Sequence, residues 1–533
     1  MSVLLHAGRS IKAISCLVPG ATGRLFWVRG SVLNRLRLFH ACKLVLKPWI
    51  CYAPVMTTDS ATVYPFWLSG QQRHGPAVPV LNPYDGSIVG AACQARTEEL
   101  SEAVAAMRQC GGRLMERTPA DRQAACKCVL TGLQAQRETF AQLICLESGK
   151  PIATARSEVE RAIATFSLAV EESVRPASER LSVENQPAFR NYDCHVERVP
   201  VGPSLFIAPF NFPLNLVAHK VAPALACGCP FILKPSDRTP LTALRLGELL
   251  AVANLPVGSW HILPTATANI QAMATDPDIA LISFTGSEKV GWELYRQATG
   301  KTVLLELGSN SPVIVEPDAD LADAAERIVR GAFGYSGQSC ISVQRIYLQK
   351  SIAAACTRML VEKAQAFRPG DPRDPRTDIG PMIDLAAARR VEQSVRDAVT
   401  AGGKLLCGGQ RTGNFYLPTL LTDVPENQPV VCEEIFGPVA VIQTYDTLTE
   451  AIQAANRSRL GIHAGIFTFN PISIQLAWHQ FDFAGVVIND VPTTRADAMP
   501  YGGVKYSGLG REGVRYAMEH LTRPKALLTR HAT

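Results

Sequence analysis

The sequence has 533 residues, 47% of them hydrophobic and 19% charged, with a formal net charge of +6. At roughly 100 to 200 residues per domain, such a chain folds as more than one unit with real cores, which excludes wholesale disorder. Its 36 Pro and 39 Gly fall below a collagen-like or low-complexity share, and no apolar run reaches the roughly 18 residues of a membrane span.

The charge is uneven along the chain. Residues 1–58 hold eight bases (Arg9, Lys12, Arg24, Arg29, Arg35, Arg37, Lys43, Lys47) and no acid; from Asp59 onward 45 bases face 47 acids. The basic excess belongs to this leader, and the rest carries no basic stripe for nucleic acid. Two readings of residues 1–55 stand. Either the segment is disordered or untranslated ahead of a start at Met56, giving a cytoplasmic protein, or it is an Arg-rich transit peptide addressed to the mitochondrial matrix. The 15 cysteines show no zinc spacing: Cys126-Lys-Cys128 and Cys227-Gly-Cys229 are too close, so neither a metal site nor a disulfide scaffold is expected.

In chain order, helical periodicity opens near Thr97 and runs to Gly111, resumes at Pro119 and again after Gly149-Lys150-Pro151. Near Arg190 it changes to the alternation of Tyr192, Cys194, Val196 and Val199, predicting an exposed ribbon. Short apolar runs follow at Ser204–Ala208, Pro230–Leu233, Trp260–Leu263, Leu281–Phe284 and Val303–Leu307, with helical segments such as Ala218–Ala226 and Thr242–Ala253 between them. This alternation predicts a parallel sheet covered on both faces. A second α/β unit starts at Pro312: Val313–Val315, a helix over Leu321–Phe333, a strand at Arg345–Leu348, a helix over Ile352–Phe367, then Val439–Tyr445 and Thr449–Ala455. The tail Arg523–Arg530 reads as a strand without a local partner, so it pairs elsewhere, possibly on a second subunit.

Three residues stand out for chemistry. Cys340 follows a Gly-rich run, Gly331 to Gly337, at a helix-to-strand junction, where backbone N–H groups lower a thiol's pKa and favour the nucleophilic thiolate. Glu306 ends the apolar strand before Gly308-Ser309-Asn310; burial there raises a carboxyl toward the range of a general base. Asn211, between Phe210 and Phe212, offers an amide to a developing oxyanion. Two more segments suit a nucleotide. The turn Thr285-Gly286-Ser287 opens a helix whose free N–H groups meet a pyrophosphate, and Lys234 with Asp237 suits ribose hydroxyls.

In this order, the segments resemble the aldehyde dehydrogenase superfamily over essentially residues 60–530. The resemblance rests on Asn211-Phe-Pro, Glu306-Leu-Gly, Gly337-Gln-Ser-Cys340, the 34-residue gap from Glu306 to Cys340, Glu433-Glu434-Ile-Phe436-Gly-Pro438 and Gly502-Gly503-Val-Lys505-Tyr-Ser507-Gly508. It implies NAD(P)-dependent oxidation of an aldehyde to a free acid, with NAD favoured over NADP and no metal. Cys340 is then the nucleophile, Asn211 the oxyanion donor and Glu306 the hydrolytic base. Lys234, Asp237, Gly286, Ser287, Glu434 and Phe436 hold the cofactor. The implied fold is α/β: a dinucleotide-binding domain over 56–181 and 201–308, a catalytic domain over 309–505, and an oligomerisation ribbon from 182–200 and 523–533, in a homodimer or homotetramer.

Three departures bear on this. Ser309-Asn310 replaces the family's Gly-Lys. Asp237 is shorter than the Glu common in NAD-preferring members, leaving room for a phosphate near Lys234 or Arg238. Ser339 and Phe212 provide no cationic clamp, although the run from Gly337 to Arg345 resembles lactaldehyde- and phosphonoacetaldehyde-type enzymes. The competing readings are a cofactor-independent cysteine esterase or amidase, with His219 as the nearest candidate base, and a catalytically silent relative.

Overall fold

The structure, a computed structural model, describes residues 62–175 and 178–531; the leader 1–55, the start at Met56 and the last two residues of the tail lie outside them. Two large sheets organise the chain from Asp59 onward. The first runs Gly508–Leu509, Thr302–Glu306, Leu281–Thr285, Ser204–Ile207, Phe231–Lys234, Trp260–Ile262, Phe66–Leu68, Gln71–Arg73. Its five middle strands are parallel, and antiparallel strands are added at each side. Leu281–Thr285 is buried along its whole length because helices cover both faces, which is why it reads as an unbroken apolar run.

Strand order reverses between Ser204–Ile207 and Leu281–Thr285. From Ser204–Ile207 the chain builds outward through Phe231–Lys234 and Trp260–Ile262, then returns to build the other side. Such a switch point opens a crevice at the carboxyl ends of the strands, where α/β sheets bind nucleotides. The second sheet runs Lys404–Cys407, Thr419–Thr422, Val439–Tyr445, Val343–Gln349, Ser311–Val315, His463–Phe467, Gly485–Ile488, parallel except at Lys404–Cys407. The turn Gly308–Asn310 joins the two sheets, and Gly508–Leu509 crosses back into the first, beyond the boundary expected at 505.

The helix Leu321–Phe333 and the strand Val439–Tyr445 have the expected bounds. Two expectations are corrected, and the partner left open for the tail is found. The helix Arg137–Ser148 went unread because Gln136 both ends the preceding helix, Pro119–Ala135, and starts this one, with no Gly or Pro between them. The ribbon has a third strand, Ser178–Leu181, outside the expected 182–200. The tail strand Thr522–Arg530 finds its partner within the chain, pairing antiparallel with Tyr192–Pro200 from Thr522 opposite Pro200 to Arg530 opposite Tyr192. Among the described residues no helix is long and apolar enough to cross a membrane.

Candidate active site

A cavity of about 820 Å³ opens at the switch point, and all nine expected site residues line it: Asn211, Lys234, Asp237, Gly286, Ser287, Glu306, Cys340, Glu434 and Phe436. Asn211, Lys234, Ser287 and Glu306 lie at or just past the carboxyl ends of the first sheet's strands. Cys340 comes from the second unit, where the helix Leu321–Phe333 ends and Tyr335 (φ 51), Ser336 (φ 55) and Gly337 (φ 66) turn left-handed in succession. A Cβ on Gly337 would sit 2.1 Å from the Gly437 carbonyl, so only glycine lets this loop close on the segment after Phe436.

Cys340 Sγ lies 2.8 Å from Tyr501 Oη, and the residue packs against Ile341 and Ile462. Burial pushes the thiol up to about 12, partly offset by Tyr501 and reinforced by the Glu434 carboxylate. The expectation of a lowered pKa is corrected: apolar packing outweighs nearby backbone dipoles here. Asn211 is 3% exposed and donates Nδ2 to the Gln338 carbonyl at 3.0 Å, while its Oδ1 has no partner. One N–H of the amide is thus fixed, which orients the other. Phe210 and Phe212 hold their rings edge-on to Phe436 and Tyr335, at 5.9 and 6.1 Å between centroids.

Glu306 is buried and its Oε2 is unpartnered. Burial first, then the Glu512 carboxylate, push its carboxyl well above the usual carboxylate range. On its far side a void of about 10 Å³, room for one water at most, is lined by Lys220, Ser283, Arg511 and Glu512.

On the nucleotide side, Ser287 caps the helix Glu288–Gln297 without spending its hydroxyl there. Lys234 Nζ bonds Asp237 Oδ1 at 2.5 Å, and Arg238 bonds Asp384 at 2.7 Å, so both cations near a ribose are already paired with acids. Ser309 N donates to Glu434 Oε1 at 3.1 Å, and a Cβ on Gly308 would fall 2.2 Å from Glu434 Oε2. Burial pushes Glu434 up to about 8. Asn310, standing where the family has Lys, ties this turn down. Its Nδ2 donates to Val431 O at 2.9 Å, its Oδ1 accepts from Ser458 Oγ at 2.7 Å, and its carbonyl accepts from Arg345 at 2.9 Å. A crevice at strand ends, a free helix N-terminus and a glycine held against an acid fit a nicotinamide dinucleotide.

The sequence reading missed Tyr501 and a buried charge cluster behind Cys340. Lys220 Nζ donates to Ser283 Oγ at 2.9 Å and lies 3.6 Å from Glu512. Arg495 sits 3.7 Å above the Tyr501 ring, and Arg161 bonds Asp497 at 2.8 Å. The available signal was Lys220 itself, a cation beside His219 in the mostly apolar helix Asn215–Cys227, buried throughout. His219, the candidate esterase base, faces Asp497 at 2.9 Å and Arg495 at 3.0 Å and makes no bond to Cys340.

Known proteins show which family this chain resembles. The chain is 40% identical over 468 residues to the 3-sulfolactaldehyde dehydrogenase of Priestia aryabhattai, covering 87% of this chain and 98% of that one. It is 37% identical over 476 residues to the lactaldehyde dehydrogenase of Methanocaldococcus jannaschii, covering 87% and 99%. The crystal structure of aldehyde dehydrogenase 21 from Physcomitrella patens with the reaction product succinate superposes with a TM-score of 0.86 at 38% identity, covering 88% and 99%. Glyceraldehyde-3-phosphate dehydrogenase from Methanocaldococcus jannaschii, complexed with NADP, gives 0.82 at 36%, covering 85% and 99%. The profile of the aldehyde dehydrogenase family matches residues 67–527, so the chain belongs to that family and is an NAD(P)-dependent aldehyde dehydrogenase.

Proposed function

We propose that the protein oxidises a small, hydrophilic aldehyde to the free carboxylic acid through a thioester on Cys340, with NAD preferred. The observation that carries this is the convergence of Cys340, Asn211 and Glu306 in the same cavity as the nucleotide crevice. Cys340 Sγ attacks the carbonyl carbon, and its proton passes to Glu306, whose Oε2 is free to accept it. The remaining Asn211 N–H and the Cys340 backbone N–H hold the oxyanion. Bound against Lys234, Ser287, Glu434 and Phe436, the nicotinamide dinucleotide supplies the hydride acceptor. After hydride loss, Glu306 releases the thiol's proton to solvent, takes a proton from the water that hydrolyses the thioester, and passes it to the departing thiolate as the acid leaves. Pairing of Lys234 with Asp237 and of Arg238 with Asp384 leaves neither cation free for a ribose phosphate, which supports NAD. The names of the relatives, lactaldehyde and 3-sulfolactaldehyde dehydrogenases, support a small oxygenated substrate.

Stopped-flow absorbance of reduced nicotinamide tests the scheme. Glu306→Gln loses the rapid burst and turns over roughly 10² to 10⁴ more slowly, because thiol attack and hydrolysis both lose their base, and Cys340→Ala gives no reduced nicotinamide. Full activity in Cys340→Ala overturns the reading.

The protein acts as a homodimer or larger homo-oligomer. Support comes from two open sheet edges: Gly485–Ile488 ends the second sheet, and Thr522–Arg530 ends the ribbon with Leu527 63% and Leu528 48% exposed.

A further inference from the structure

Cys227-Gly228-Cys229, too closely spaced for zinc, plays no role in the aldehyde scheme. It closes the helix Asn215–Cys227, at the end away from Asn211, roughly 20 Å along the helix axis. Both cysteines are free thiols, 7% and 3% exposed. Gly228 takes the left-handed conformation (φ 76), so the chain doubles back and both cysteines address one oxygen. Ala224 O accepts from Cys229 N at 2.9 Å and from Cys227 Sγ at 3.7 Å. Two peptide steps span at most roughly 7 Å when extended, and a turn shortens them into the roughly 4.4–6.8 Å between Cα atoms that a disulfide needs.

The surroundings distinguish the two sulfurs. Contact between the thiols pushes Cys227 well above the ordinary value and holds Cys229 below it, and Ser204 Oγ, 3.3 Å from Cys229 Sγ, helps to hold Cys229 low. Neither thiol is sealed in the core. A cavity of about 360 Å³, lined by Cys227 with Arg122, Arg198 and Thr522, lies where the ribbon meets the helices. A second void of about 20 Å³ touches Gly228 and Cys229, room for one molecule the size of water or hydrogen peroxide. Arg122 lines both. Its guanidinium bonds the carbonyls of Ala226 at 3.1 Å and Arg117 at 2.9 Å, and no carboxylate among the described residues. The neighbouring thiol of Cys110 is pushed up to about 11 by burial, so it competes poorly as a nucleophile.

We propose that Cys227 and Cys229 form a redox-active dithiol, separate from Cys340, that a hydroperoxide oxidises to a reversible disulfide. The Cys229 sulfur attacks one peroxide oxygen, the O–O bond breaks, and the leaving hydroxide takes up a proton beside Arg122 to become water. The Cys227 sulfur then attacks the sulfenic sulfur of Cys229. The S–S bond forms, the S–O bond breaks, and the Cys227 proton leaves with the hydroxyl as a second water. The two thiols lose two electrons, and the peroxide gains them.

The test treats the reduced, folded full chain with hydrogen peroxide, labels the remaining thiols with N-ethylmaleimide in denaturant, and maps tryptic peptides by mass. Residues 221–238 leave as one peptide, because Lys234 precedes Pro235. The expected product is that peptide unlabelled and lighter by two hydrogens, and dithiothreitol restores both thiols to labelling. Cys227→Ser and Cys229→Ser each lose this product, and Cys340→Ala keeps it. The wild-type map carries the answer even where a substitution unfolds the chain. Both thiols still labelled at a peroxide dose that oxidises the partly exposed Cys432 would overturn the site. So would Cys229 recovered in a disulfide with Cys110, or either cysteine recovered as sulfinic acid with no disulfide formed.

Discussion

Cys340 shows how a single residue's role and its energetics separate. Its Gly-rich setting singles it out as the proposed nucleophile, but Ile341 beside it and Ile462 and Tyr501 from distant segments hold its thiol near 12. The resting enzyme therefore carries a neutral thiol and needs a base. Glu306 gives the expected pH dependence. Its folded pKa is raised, so it is protonated in acid, inert as a base there, and gains activity as pH climbs through the raised value. Steady-state kcat should rise with pH well above the ordinary carboxylate range, and Glu306→Gln should lose that limb. Cys340 titrates too high to shape it. A wild-type profile flat from acid to alkaline pH removes Glu306 from the role.

Among the elements, the helices Ile152–Glu172 and Asn215–Cys227 are locked by a pair the sequence did not reveal. Lys150 and Glu158 form a fully buried ion pair, and Glu158 Oε1 also accepts from Leu214 N at 2.9 Å and Asn215 N at 3.1 Å. The N-terminus of the second helix, just after Asn211, is thereby capped by a carboxylate from the first. The Lys150 ammonium lies 3.8 Å over the Phe212 ring, steadying the same segment. Lys150→Met leaves Glu158 without its counter-charge in a dry interior, and calorimetry should show a loss of about 3–5 kcal/mol and a lower Tm. An unchanged Tm would mean that the pair is dispensable. From the sequence, Gly149-Lys150-Pro151 reads only as the start of a helix, because a lysine's burial depends on what packs above it.

For the whole molecule, the open edges at Gly485–Ile488 and Thr522–Arg530 are the surfaces on which the proposed assembly rests. Light scattering should give a dimer or larger species, and Leu527→Lys, charging the exposed ribbon strand, should shift it toward smaller ones. A wild-type monomer at all concentrations overturns the oligomer. The sequence by itself determined the two α/β units, most strand positions and nine residues that converge on one cavity, because sheet strands buried on both faces and short motifs write themselves locally. Only the tertiary structure decided that the tail pairs within its own chain, that Cys340 is a high-pKa thiol, and that Lys220, Arg495, Tyr501 and Glu512 gather behind it. Those outcomes depend on desolvation and on charges hundreds of residues apart, and neither is carried by neighbours along the chain.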